Sequence, residues 1–66
     1  MRVIHTTETV NGKFARVYRD HEWEEYRVKF FENGIHLKDA DYHTDDKNDA
    51  MDTAEFALNS NGEYFH

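Results

Sequence analysis

The chain has 66 residues, a formal net charge of −6, 38% hydrophobic residues and neither cysteine nor proline. A chain this short holds one small core and buries only about 60% of the surface its unfolded form exposes. Without cysteine, no disulfide or thiolate metal site reinforces that core. No signal peptide is expected, because Met1-Arg2-Val3-Ile4-His5-Thr6-Thr7 turns polar at once. The apolar runs are far shorter than the roughly 20 residues of a transmembrane helix. The protein therefore reads as soluble, and a chain without cysteine fits a cytoplasmic setting.

The first local signal is Asn11-Gly12, set between Thr6-Thr7-Glu8-Thr9-Val10 and Lys13-Phe14-Ala15-Arg16-Val17-Tyr18. Asn-Gly supplies the two positive φ angles of a type I′ turn, so these segments read as a hairpin. Asp20-His21-Glu22 forms a polar turn into Glu25-Tyr26-Arg27-Val28-Lys29-Phe30, which alternates as a strand does. Asn33-Gly34 repeats the turn chemistry before Ile35-His36-Leu37, giving an antiparallel meander. The period then changes. Ala50, Met51, Ala54, Ala57 and Leu58 fall on one helical stripe, with Thr44 as the expected cap and Asp45, Asp46 and Asp49 near the positive end of the helix dipole. Asn59-Ser60-Asn61-Gly62 marks the stop.

The reading is an α+β domain over residues 1–66: three to four antiparallel strands within 2–43, one helix over about 45–59 on one face, and a flexible tail over 60–66. Strand alternation places Ala15, Val17, Tyr26, Val28, Phe30, Ile35 and Leu37 on the face that meets the helix. Ala40 and Tyr42 have the opposite parity to Leu37, so they reach that face only if the chain bends near Lys38-Asp39. The other face collects Phe14, Arg16, Tyr18, Arg27, Lys29, Phe31, His36 and Lys38, with no second helix to cover it.

Charge is distributed unevenly along the chain. Residues 1–38 hold seven Lys and Arg against six Asp and Glu, while residues 39–66 hold one against eight. The basic residues of the first part interleave with aromatics, so the net charge of −6 coexists with a locally cationic aromatic surface.

Candidate chemistry is sparse. Asp39-Ala40-Asp41-Tyr42-His43-Thr44-Asp45-Asp46-Lys47-Asn48-Asp49 begins like an alternating calcium loop. An EF-hand loop starting at Asp39 needs glycine where Thr44 stands and glutamate where Ala50 stands. The run therefore reads as a solvated acidic helix start, without a metal. His5, His21, His36, His43 and His66 lack paired zinc spacing, and Ser60 is the only serine, so no nucleophile, base and orienting partner can be named. The chain reads as a non-enzyme without a cofactor.

The stretch Tyr26-Arg27-Val28-Lys29-Phe30-Phe31-Glu32-Asn33-Gly34, followed by Asp39 to Lys47 and Asp49 to Ala54, resembles small accessory proteins encoded by marine cyanophages. The resemblance covers about half the chain. It implies a short accessory protein acting in an infected bacterial cytoplasm, with no activity or functional residue to carry over. The β-β-β-α order is also similar to the C-terminal part of double-stranded RNA-binding domains, but Asp45, Asp46 and Asp49 stand where that family needs phosphate-binding lysines.

Three uses of the uncovered face follow. Phe14, Arg16, Tyr18, Arg27, Lys29 and Phe31 form a surface for a protein partner or a second copy, since aromatics and arginine are typical of interface hot spots. The same residues could stack bases and hold phosphates of single-stranded nucleic acid. Otherwise the face is simply solvated, with Arg and Lys stems shielding the rings. A separate reading makes the acidic helix a mimic that occupies a basic groove of a host protein.

Overall fold

The computed structural model describes the backbone of residues 1–59 and the side chains of residues 1–56. The fold is α+β, as the alternation and the helical stripe predict. Among the described residues, strands β1 (Arg2–Thr6), β2 (Lys13–Asp20), β3 (Glu25–Glu32), β4 (Ile35–His36) and β5 (Tyr42–Thr44) form one antiparallel sheet, followed by helix α1 (Lys47–Asn59). The sheet is four positions wide, because β4 and β5 share one edge of β3. β4 pairs Phe31 and Glu32, and β5 pairs Tyr26 to Val28. A 3-10 turn, Lys38–Ala40, joins them and supplies the bend that the parity change at Ala40 and Tyr42 requires. No helix among the described residues is long and apolar enough to cross a membrane.

Local chemistry sets the turns. Asn11 and Gly12 have φ of 54° and 78°, Asn33 and Gly34 have 51° and 83°, and both pairs close tight hairpins in which two consecutive residues need the left-handed region. The connection between β2 and β3 is longer than the sequence suggests and runs from His21 to Glu24, with Glu24 also at positive φ. Asp20 organises it by accepting the N–H groups of Glu22 and Trp23 on Oδ1, at 3.1 and 3.4 Å.

The first hairpin differs from the sequence expectation. Val10 and Lys13 do bridge across the Asn-Gly turn, but the regular strand is Arg2–Thr6, with Glu8 and Thr9 outside it. The pairing regains register at Thr7, whose N–H donates to the Ala15 carbonyl at 2.9 Å, while its Oγ1 accepts the Ala15 N–H at 2.9 Å. A second irregularity falls between Val3 and His5, where Ile4 is the extra residue. Such bulges are common on edge strands, where they blunt pairing with another chain.

The core consists of Ala15, Val17, Val28, Phe30, Ala50 and Ala54, with Ile4, Tyr26, Ala40 and Met51 packed against it. Alternation in β2 and β3 explains the first four, and the small side chains of Ala50 and Ala54 let α1 lie close to the sheet. Full burial of Val17 and of Val28 is worth about 1.5–3 kcal/mol each. Ile35 departs from its expected place in the core and is 67% exposed. It follows Gly34 directly at the outer edge of the sheet, where it pairs with Glu32. Ile4 joins the core instead, because the bulge disrupts the alternation that would have revealed it. The side chains of Ala57 and Leu58 and the tail over 60–66 lie outside the described residues.

The helix cap is also corrected. Asp46, not Thr44, caps α1: its Oδ1 accepts the N–H groups of Asn48 and Asp49 at 2.9 and 3.3 Å. Thr44 Oγ1 accepts the Asp46 N–H at 3.2 Å, fixing the approach to the cap. The helix accordingly begins at Lys47, two residues after the expected start.

Candidate interaction face

The face of the sheet opposite α1 is ordered by cross-strand register. Phe14 pairs with Phe31, Arg16 with Lys29, and Tyr18 with Arg27. β1 adds Thr6 beside Arg16 and Val3 beside Tyr18, while the far edge adds His36 beside Phe31 and His43 beside Arg27. The face is therefore a series of rows across the strands: an aromatic row, a cationic row, and a row combining Tyr18 with Arg27. The six residues expected to form a surface all lie on it together. Lys38 does not, because it sits exposed in the 3-10 turn. The sequence did not reveal Val3, Thr6 or His43 as members, since the bulged β1 and the interrupted edge lack the alternation that marks a regular strand.

The rings are half-buried rather than exposed as expected, and they are occupied by neighbours on the same face. Phe14 and Phe31 stack with centroids 4.8 Å apart and planes 8° from parallel, and His36 packs against Phe31 at 5.3 Å. The Arg16 guanidinium lies 5.2 and 5.3 Å from the two phenylalanine centroids, and Lys29 Nζ lies 4.9 Å from the centroid of Tyr18. These aromatic and cation–π contacts are each worth about 0.5–1 kcal/mol at such partly exposed positions.

The cations of the face divide into two kinds. Arg27 is neutralised: its Nη2 is 2.9 Å from Glu25 Oε1, and its Nε is 3.3 Å from Asp20 Oδ2, within ion-pair range but without hydrogen-bond geometry. Arg16 and Lys29 have no ion pair among the described residues. His36 reaches Asp41 at 2.7 Å, and His43 lies 3.7 Å from Glu25.

On the helix side the polar contacts tie elements together. His5 on β1 reaches Glu55 on α1 at 2.9 Å, and Arg19 lies over the ring of Tyr26 at 4.9 Å. The Tyr42 hydroxyl donates to Asp49. That bond to a carboxylate is the main reason the Tyr42 phenol is pushed above its ordinary value, with desolvation and the Asp49 charge acting in the same direction. Among the described residues, no three His, Asp or Glu side chains converge to hold a metal ion.

No protein-family model matches the chain, and neither a curated protein nor a solved structure shows significant similarity to it.

Proposed function

We propose that this chain is a non-catalytic interaction module that binds a protein through the open sheet face, acting as a phage accessory protein on a host or self protein in the bacterial cytoplasm. The observation that carries this reading is the pair of cations without an ion pair among the described residues, Arg16 and Lys29, held against Phe14, Phe31 and Tyr18 on the face away from α1. Ordered arginine and aromatic side chains lose little entropy when a partner covers them, which is why they recur as interface hot spots. Single-stranded nucleic acid is less well supported. Phe14 and Phe31 spend a face on each other and Lys29 lies over Tyr18, so few ring faces remain for bases to stack on, whereas ring edges still accept apolar side chains.

The test is recovery of binding partners from bacterial lysate by the wild type and by a Phe14→Ser, Phe31→Ser variant whose helix signal in circular dichroism matches wild type. Loss of specific partners from the variant is expected. Equal recovery by both proteins overturns the reading.

A further inference from the structure

Resting on that reading, we propose that the occupant of the open face is an extended acidic segment of a partner protein. One aspartate or glutamate of that segment sits over Arg16 and Lys29, and apolar side chains two residues away on either side reach the flanking rings, Phe14 with Phe31 in one row and Tyr18 beside Arg27 in the other.

Spacing is the first argument. The rows of Phe14, Arg16 and Tyr18 follow one another every second residue along β2, so they are about 6.8 Å apart. An extended peptide lying along the strand projects its own alternate side chains at the same interval. An apolar residue, an acidic residue and an apolar residue at alternate positions therefore match the three rows in register.

Charge is the second argument. The chain carries fourteen Asp and Glu, of which all but Glu63 are among the described residues, yet none of those forms an ion pair with Arg16 or Lys29, whereas Arg27 between the same strands holds two carboxylates. The Arg16 guanidinium is already placed by the two phenylalanine rings, and a planar fork fixed in this way is suited to a carboxylate. A second copy packed face to face with its two-fold axis on the cationic row is the wrong occupant, because it would bring the same two cations against each other. The net charge of −6 does not prevent an acidic segment from docking: at physiological salt, charges more than about 8 Å away are largely screened.

The experiment is an amide chemical-shift titration of the isotopically labelled full chain with capped serine heptapeptides. The main probe has glutamate at its centre and phenylalanine two residues away on each side. One control replaces the glutamate by lysine, a second moves each phenylalanine next to the glutamate, and a thymidine oligonucleotide forms the third. The glutamate probe is expected to shift open-face residues of β2 and β3 and to bind at least about tenfold more tightly than the lysine probe, as hydrogen bonds to charged groups imply. An Arg16→Glu, Lys29→Glu variant should reverse the preference, and Arg16→Gln, Lys29→Gln should abolish it if the reversal impairs folding. Equal affinity for the glutamate and lysine probes, with shifts still on the open face, overturns the acidic occupant and leaves the binding face intact. Absence of open-face shifts with every peptide overturns both readings, and tighter binding of the oligonucleotide than of the glutamate probe assigns the face to nucleic acid instead.

Discussion

Replacement of Asp20 by alanine should be among the most damaging single changes outside the apolar core. The residue is only 8% exposed, accepts two backbone N–H groups of the β2–β3 connection on one oxygen, and places the other 3.3 Å from Arg27 Nε. The bond to Glu22 is well formed and the one to Trp23 is long, so together they count as about one hydrogen bond to a charged acceptor, ~1.5–3 kcal/mol. The Arg27 contribution is discounted to about 0.5–1 kcal/mol, because that side chain is 38% exposed and keeps its bond to Glu25. The expected loss is therefore about 2–4 kcal/mol, a large share of the ~3–10 kcal/mol available to a chain of this size. Asp20→Asn retains an acceptor for the connection and should lose only about 1 kcal/mol. Urea denaturation followed by far-ultraviolet circular dichroism measures both. A loss below about 0.5 kcal/mol for alanine, or equal losses for alanine and asparagine, would refute the role assigned to the carboxylate.

Gly12→Ala and Gly34→Ala both place a side chain in the left-handed region, at a cost of about 1–2 kcal/mol. A Cβ at Gly12 also falls 2.4 Å from Asn33 Oδ1, whereas one at Gly34 meets nothing, so thermal melts should rank the Gly12 variant as less stable. The reverse order would count against the contact between the two turns. Asp46→Ala should destabilise the protein by about 1 kcal/mol and Thr44→Ala by less, and the opposite order in chemical denaturation would return the cap to Thr44. The raised Tyr42 value means that the folded state favours the protonated phenol. Its stabilising contribution is complete below the unfolded value of about 10 and disappears as pH rises through the folded value. Stability of the wild type relative to Tyr42→Phe should therefore decline in strongly alkaline solution, and parallel curves for the two proteins would exclude the coupling to Asp49.

The features legible in the sequence are those governed by near neighbours. Asn11-Gly12 and Asn33-Gly34 announce their turns because the conformation belongs to the dipeptide itself. Ala15, Val17, Val28 and Phe30 announce their face because β2 and β3 pair in unbroken register from Lys13–Glu32 to Asp20–Glu25. The same unbroken register brings Phe14, Arg16, Tyr18, Arg27, Lys29 and Phe31 together, so these six followed from alternation alone, whereas Val3, Thr6 and His43 did not. Other features depend on partners distant in sequence. The bulge at Ile4 arises in the pairing of β1 with β2, and the exposure of Ile35 and the division of one sheet edge between β4 and β5 arise in pairings with β3, none of which the local pattern carries. Charge pairing belongs to this second class. Arg16, Arg27 and Lys29 look equivalent in the sequence, but Asp20 and Glu25 close around Arg27 at one end of the hairpin and leave the other two without a carboxylate among the described residues. Strand period assigned these cations to a face, and only three-dimensional proximity determined which of them were neutralised.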